Sequence, residues 1–196
     1  MNIKKMIYLV AFFIFMGPKP TNIVFFNNKI FIAFAPLFVL LVLWYCYKEE
    51  IRKYNFNDIK NREFFSIFIN CLQFSIYSQA LTSIILGQSA GAYDSILQTY
   101  LIMPLYAIMV APLAEEIVYR KIIFKYLDKH LNFWLSASIS SVIFAIGHFS
   151  LNRFLGYFLT GMIFCYYYKK SRSIVPLIAA HSAINFISIF VATIKS

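Results

Sequence analysis

Seven apolar stretches of roughly membrane-spanning length dominate this chain of 196 residues, and the short segments between them hold most of its charges. A helix needs about 20 apolar residues to cross the hydrocarbon core of a bilayer. The stretches run over residues 6–26, 30–47, 64–86, 96–124, 133–149, 154–168 and 174–194. The first also resembles the start of a signal peptide, but no cleavage site of the small-x-small type follows it, so a helix is predicted there too.

The composition agrees with a membrane protein. Hydrophobic residues make up 61% of the chain and charged residues 13%, and the mean hydropathy is +0.70. Soluble domains are about half apolar and about a quarter charged. The three cysteines, Cys46, Cys71 and Cys165, are far apart in apolar sequence and are expected to pack as small hydrophobic side chains. The chain is therefore predicted to be an all-α polytopic membrane protein, with about seven transmembrane helices in a single domain over 1–196.

The basic residues predict an orientation. A net charge of +10 would favour nucleic-acid binding in a soluble protein, but here Lys and Arg cluster at the ends of apolar stretches, so no nucleic-acid partner is expected. If the seven stretches alternate across the membrane, 14 of the 18 Lys and Arg residues fall on the side of the N-terminus. The positive-inside rule then predicts an integral membrane protein with a cytoplasmic N-terminus. The expected membrane is that of a bacterial cell, because the chain is rich in Phe, Ile, Lys, Asn and Tyr, whose codons are AT-rich.

Three charges lie inside the fourth apolar stretch, in the segment "APLAEEIVYRKIIF". A charge at the bilayer centre costs about 2.5 to 3.5 kcal/mol on insertion scales, so such charges need partners, water or a function. Glu116 and Arg120 are four residues apart, which predicts an ion pair on one helix face. That pair leaves Glu115 unexplained.

Polar residues also interrupt two later stretches. His181 and Asn185 are four residues apart in the seventh stretch and are expected to share a helix face. Phe144 and His148 are related in the same way in the fifth stretch, whereas His130 belongs to a basic connecting segment and is expected to be solvated. At about 1.5 Å of rise per residue, these polar residues reach depths that overlap with that of the glutamates. One polar intramembrane cavity is therefore predicted.

Two kinds of chemistry fit this set of residues. The carboxylate of Glu115 could act as a general base on a water that His148 also contacts, while His181 and Asn185 donate hydrogen bonds to the oxyanion. Alternatively, Glu115, His148 and His181 are the ligand set of a catalytic zinc, with a fourth position for water. An HExxH motif is absent and no aspartate lies in an apolar stretch, so neither a zincin nor a Ser-His-Asp site is predicted.

Three short motifs occur in order in the second half of the chain: "EEIVYR" fits EExxxR, "FAIGH" fits FxxxH and "HSAIN" fits HxxxN. In this order, on the fourth, fifth and seventh apolar stretches, they resemble the CAAX protease and bacteriocin-processing (CPBP, or Abi) family of intramembrane endopeptidases. The resemblance covers about 111–186, within a family-like core at about 96–194.

The resemblance implies a helical membrane fold with a cavity that opens toward the cytoplasm, where a peptide bond is cleaved. It implies that Glu115 activates water with His148 beside it, and that His181 and Asn185 stabilise the oxyanion. Glu116, Arg120 and Phe144 then have supporting roles.

The family is commonly labelled metalloendopeptidase, and a glutamate mechanism without metal has also been argued for it. The resemblance therefore leaves two alternatives for the cofactor: none, which we favour, or zinc on Glu115, His148 and His181.

The expected partners are the lipid bilayer and a membrane-associated peptide or protein. By resemblance the substrate is a leader peptide, a bacteriocin or pheromone precursor, or a CAAX-like protein. A non-enzymatic protein for bacteriocin self-immunity or peptide binding is the alternative. A proton-coupled transporter is a weaker one, because the chain shows no inverted halves.

Overall fold

The computed structural model describes residues 3–15, 29–52, 62–87, 103–148 and 150–195. These residues form seven helices and no strands. We number them α1 (Ile3–Phe15), α2 (Lys29–Arg52), α3 (Arg62–Leu86), α4 (103–127), α5 (Phe133–Ile146), α6 (Leu151–Ser171) and α7 (Val175–Lys195). Each of the seven apolar stretches overlaps one of these helices, so the all-α prediction is confirmed for the described residues.

Two predicted boundaries fall partly outside the described residues, and a third is wrong. Residues 16–26 of the first stretch and 96–102 of the fourth are not described. The fifth stretch was predicted to be helical to residue 149, but α5 ends at Ile146. The N–H of Gly147 bonds to Ile143 O, and that of His148 bonds back to Ala145 O at 3.2 Å. This tighter bond closes the last turn and places His148 just beyond the helix.

Helix α4 is not a uniform α-helix. Two π-helical segments, Tyr106–Val110 and Ile117–Phe124, flank the α-helical turn Ala111–Glu116. Pro112 has no amide hydrogen to donate to the carbonyl four residues before it, and the N–H of Ala111 bonds instead to Tyr106 O, five residues back. The uniform rise of an α-helix therefore does not apply to this helix, and the depth predicted for the glutamates on that basis needs correction. Short π-helical segments are frequent at functional sites.

Small residues let α6 approach both α3 and α5 closely. A Cβ placed on Gly161 would lie 2.7 Å from Cβ of Ser141 on α5, and one on Gly156 would lie 2.8 Å from Oγ1 of Thr82 on α3. Such contacts are typical of helix packing in membranes, where van der Waals contact replaces the hydrophobic effect between helices. Helix α7 packs against α3 and α4, and α1 and α2 pack on the other side of α4.

The outer surface is rich in large apolar side chains. Two described helices, α3 and the part of α7 over Val175–Ile194, are long and apolar enough to cross a membrane, with mean hydropathies of 1.2 and 1.9. Helix α5 is apolar but shorter. Large apolar side chains are exposed on every helix, as shown by Ile7, Trp44, Ile84, Met109, Trp134, Leu151 and Phe190. Such a surface fits a lipid environment. The fold is consistent with a polytopic membrane protein, and the number of crossings stays a prediction.

Candidate active site

The ion pair predicted from sequence spacing is present at the centre of the molecule. Nη1 of Arg120 lies 3.1 Å from Oε1 of Glu116, and the two side chains are 1% and 0% exposed. Glu116 ends the α-helical turn of α4, and Arg120 follows in the π-helical segment Ile117–Phe124. The buried charges therefore neutralise each other within one helix.

Two aromatic rings complete the surroundings of Arg120. The guanidinium carbon lies 4.4 Å from the ring centre of Phe144 on α5 and 5.2 Å from that of Phe164 on α6. A cation over an aromatic face gains electrostatic attraction, which increases when water is excluded. Among the described residues, the guanidinium nitrogens have no hydrogen bond of good geometry. Ring faces and the nearby carboxylate therefore balance this charge.

His181 connects the two glutamates. Its Nδ1 lies 2.9 Å from Oε1 of Glu116, and its Nε2 lies 3.7 Å from Oε2 of Glu115. The first distance is that of a hydrogen bond, and the second is not. Because the carboxylate of Glu116 accepts the proton on Nδ1, the second nitrogen of the ring is turned toward Glu115. The structure thus brings together three residues that the sequence predicted for one site.

Glu115 and Glu116 are neighbours in sequence but have different surroundings. Glu116 is fully buried and bound to both Arg120 and His181, whereas the side chain of Glu115 is 19% exposed. Oε2 of Glu115 is itself buried, and within the described part of the chain it has no hydrogen-bond partner. Glu115 is therefore the less constrained of the two carboxylates.

His148 lies beside Phe144, as expected, although it is outside α5. Its Nδ1 is 2.9 Å from Phe144 O, so the ring donates this hydrogen and leaves Nε2 as an acceptor. The ring of Phe144 lies 4.6 Å from His148 and 5.9 Å from His181, so both imidazoles contact the same phenyl ring. Tyr157 of α6 stacks on His148 with ring centres 3.8 Å apart and planes at 24°.

Sequence reasoning missed Tyr157 and Phe164. Phe164 is buried and lies 5.9 Å from His181 by ring centres. Both belong to α6, a stretch with no buried charge or histidine to draw attention to it. An aromatic residue in an apolar stretch normally indicates packing, so no signal in the sequence distinguished these two.

Asn185 lies further along α7, where it contacts the other end of the glutamate-bearing turn. Its Nδ2 donates to Ala107 O at 2.7 Å, in the π-helical segment Tyr106–Val110. The bond ties α7 to α4 next to the site. An amide nitrogen carries two hydrogens, so a second donor function of Asn185 stays a prediction.

Zinc on Glu115, His148 and His181 is the alternative to a site without metal. No three side chains of His, Cys, Asp or Glu in this part of the chain are grouped closely enough to hold one metal ion. Nδ1 of His181 is engaged by Glu116, and Nδ1 of His148 by a backbone carbonyl. Both bonds leave Nε2 of the ring as the nitrogen that could bind a metal, so zinc stays an alternative.

Comparison with known proteins gives two matches. Residues 97–187 match the family model of the type II CAAX prenyl endopeptidase Rce1-like proteins. The protein named "Putative membrane peptidase YdiL" of Bacillus subtilis (strain 168) is 35% identical over 99 residues, which are 50% of this chain and 41% of that protein. The chain thus matches less than half of the length of this relative. No solved structure matches. The segment matched by the family model contains every residue of the candidate site.

Proposed function

Because residues 97–187 match the family model of the type II CAAX prenyl endopeptidase Rce1-like proteins, we propose that this protein is a CPBP-family intramembrane endopeptidase. It hydrolyses a peptide bond of a membrane-associated peptide or protein. The observation that carries this proposal is the arrangement of Glu115, His181 and Glu116, in which a carboxylate oxygen without a hydrogen bond faces an imidazole that a second, buried carboxylate holds.

Glu115 is the general base of the proposed reaction. Its carboxylate accepts a proton from water as the water oxygen attacks the peptide carbonyl carbon. The same carboxyl group then delivers that proton to the leaving amine, so the base is restored. A carboxylate in apolar surroundings is a stronger base than one in water, which suits this role.

His148 orients the attacking water. Because the Nδ1 hydrogen is donated to Phe144 O, the other ring nitrogen is available to accept a hydrogen bond from water. The stacked ring of Tyr157 restricts rotation of this imidazole. The water is thereby directed with one hydrogen to His148 and the other to Glu115.

His181 and Asn185 stabilise the negative charge that forms on the carbonyl oxygen. His181 can donate from Nε2 in its doubly protonated form, with Glu116 holding the proton on Nδ1. Asn185 can donate its second amide hydrogen, since the first is bound to Ala107 O. Hydrogen-bond donors fixed before the reaction stabilise such an oxyanion without reorganisation. Glu116 and Arg120 act indirectly, by positioning His181.

The substrate class and the setting follow from the family and the charge distribution. The substrate is a leader peptide, a bacteriocin or pheromone precursor, or a CAAX-like protein. The protein resides in a bacterial cell membrane with its N-terminus in the cytoplasm, which the distribution of Lys and Arg supports. The family-like catalytic core covers about 96–194 of a single transmembrane domain and encloses the matched segment.

Co-expression with candidate precursor peptides tests the proposal. Product masses from cells with the wild-type protein are compared with those from cells with Glu115→Gln, and Glu63→Gln on the exposed start of α3 serves as a control for the same change. We expect cleavage with the wild type and with Glu63→Gln, and none with Glu115→Gln. Equal cleavage by all three proteins would contradict the proposal, and an immunity phenotype that survives in Glu115→Gln without cleavage would favour the non-enzymatic alternative.

A further inference from the structure

The carbonyl oxygen of Ala107 on α4 receives neither of the backbone hydrogen bonds that an α- or π-helical register would give it. In an α-helix its donor is the N–H four residues later, on Ala111, but that N–H bonds to Tyr106 O. In a π-helical register the donor is the N–H five residues later. That position is Pro112, which has no N–H. The helix therefore leaves Ala107 O open to a donor from another part of the protein.

Asn185 of α7 is this donor. Its Nδ2 lies 2.7 Å from Ala107 O, at the distance of a well-formed hydrogen bond. The two residues are 78 positions apart in the sequence, so the bond joins two separate helices. A backbone carbonyl that is kept from water and has no donor costs about as much free energy as a lost hydrogen bond. Asn185 thus satisfies an acceptor that Pro112 leaves without a helical partner.

The same bond restrains the direction of the second amide hydrogen of Asn185. An Asn amide carries two hydrogens on one nitrogen, so binding the first to Ala107 O limits where the second can point. Asn185 is half-buried and lies one helical turn after His181, whose Nδ1 is bound to Glu116. Both proposed donors to the oxyanion are therefore held by α4. A side-chain carboxylate holds the imidazole, and a backbone carbonyl holds the amide.

We propose that Pro112 is a positioning residue of the active site, because it keeps Ala107 O available as the acceptor that orients Asn185. This inference rests on the proposed function, in which Asn185 donates a hydrogen bond to the oxyanion. Pro112 is fully buried and lies three residues before Glu115. It acts through the backbone of α4 and through the amide of Asn185, and not on the substrate.

A residue other than proline at this position would bring a competing backbone donor. In Pro112→Ala, the new N–H would bond to Ala107 O if the π-helical register continued. If the new N–H bonded to Ile108 O instead, in the α-helical register, the N–H of Ala111 would return to its own α-helical acceptor, which is again Ala107 O. In either register Asn185 would share its acceptor, and its second amide hydrogen would be less restrained.

Pro36 of α2 provides a matched control. Both prolines are buried and lie within a helix. Pro36→Ala and Pro112→Ala remove the same ring and add the same N–H, but only residue 112 is in register with Ala107 O. Alanine favours a helix interior far more than proline does, so both variants are expected to fold.

The first test measures melting temperatures of the full chain in detergent. Asn185→Ala is introduced into the wild type, into Pro112→Ala and into Pro36→Ala. We expect it to lower the melting temperature equally in the wild type and in Pro36→Ala. In Pro112→Ala the loss should be less than half as large, because Ala107 O then has a backbone donor. Equal losses in all three backgrounds would overturn the proposal.

The second test measures kcat and KM on a peptide that the wild type cleaves. Pro112→Ala should lower kcat at least fivefold with KM unchanged within twofold, and Pro36→Ala should leave both constants within twofold. Adding Pro112→Ala to Asn185→Ala should lower kcat by less than a further twofold, because the amide that Pro112 orients is already gone. A wild-type kcat in Pro112→Ala, or a full effect of this change without Asn185, would overturn the proposal.

Failure of the proposed function would look different. Cleavage that does not depend on Glu115 would contradict that function. The melting temperatures do not depend on cleavage, so they would still show whether Pro112 controls the acceptor of Asn185.

Discussion

Nδ1 of His181 on α7 lies 2.9 Å from Oε1 of Glu116 on α4, and both side chains are buried. Glu116 thereby fixes which nitrogen of the ring faces Glu115, at 3.7 Å. Two adjacent carboxylates thus have separate tasks in the proposed site: one holds the imidazole and the other meets the substrate. The predictions below follow from this division and from the packing around it.

Glu116→Gln should destabilise the protein much more than Glu115→Gln. Glu115 is partly exposed and its nearest charged contact is long, so its change to Gln should alter the free energy of unfolding by less than about 1 kcal/mol while lowering kcat about 10²- to 10⁴-fold. Glu116→Gln leaves the guanidinium of Arg120 buried without its carboxylate, which should cost about 3 to 5 kcal/mol. Thermal unfolding in detergent and peptide cleavage assays measure the two quantities. A stable Glu116→Gln protein would contradict this division of tasks.

Removal of both partners of the ion pair should destabilise the protein less than removal of one. Arg120→Met leaves the charge of Glu116 buried and is expected to cost about 3 to 5 kcal/mol. The double variant Glu116→Gln with Arg120→Met leaves no buried ion pair, and most of the stability should return. Activity should not return, because Gln can no longer hold the protonated Nδ1 of His181 as a carboxylate does. A double variant as unstable as either single variant would refute this expectation.

The ring of Tyr157 should affect catalysis indirectly, by holding the imidazole of His148 in place. Tyr157→Leu removes a stacked ring, a contact worth about 0.5 to 1.5 kcal/mol, and should lower kcat about threefold to tenfold with little change in KM. Tyr157→Phe retains the ring and should keep most of the activity. The two kinetic constants are measured on the same cleaved peptide. If Phe impairs kcat as much as Leu does, the hydroxyl and not the stacked ring is what matters.

A comparison with Gln79 can distinguish a catalytic role of Asn185 from a purely structural one. Both side chains donate one amide hydrogen between helices, Asn185 to Ala107 O and Gln79 to Oγ1 of Thr160. Substitution of either by Ala should cost about 1 kcal/mol of stability. Only Asn185→Ala should also lower kcat about 10²-fold, because it removes a donor to the oxyanion. Equal kcat in the two variants would restrict Asn185 to its structural bond.

The contact between α5 and α6 should tolerate no added methyl group at Gly161. A Cβ there would lie 2.7 Å from both Cβ and Oγ of Ser141, so Gly161→Ala should destabilise the protein by about 1 to 3 kcal/mol. Replacement of Ser141 by Gly in the same chain removes the two closest atoms and should restore part of the loss. Melting temperatures of the single and double variants give the comparison. No recovery in the double variant would mean that another contact limits the approach.

Much of the architecture could be predicted from the sequence, because helices that cross a lipid bilayer consist of long apolar stretches. Long apolar stretches located the seven helices of the described residues, and the cost of buried charges pointed to Glu116 and Arg120 as a pair. The site was recognisable because polar side chains in apolar helices are rare, so His148 and His181 stood out. Both imidazoles do contact the ring of Phe144.

Other features could not be predicted from the sequence. A π-helical segment differs from an α-helix in the register of its hydrogen bonds, and apart from Pro112 the side chains of α4 do not reveal that register. The turn that carries His148 depends on how α5 ends at Gly147, and the stack of Tyr157 depends on how α6 rotates against it. A cavity lined by Lys5 and Lys121 needs α1 beside α4, which no local pattern specifies.

The π-helical segment that follows Glu116 makes the spacing of this region sensitive to single-residue changes in length. Each residue of an α-helix turns the following side chains by about 100°. Deletion of one residue between Ile117 and Tyr119 would convert the wide turn toward ordinary α-helix and would shorten the separation of Glu116 and Arg120 from four positions to three, which would change the geometry of their ion pair. We therefore expect this protein to keep its fold after substitutions in this turn far more often than after insertions or deletions.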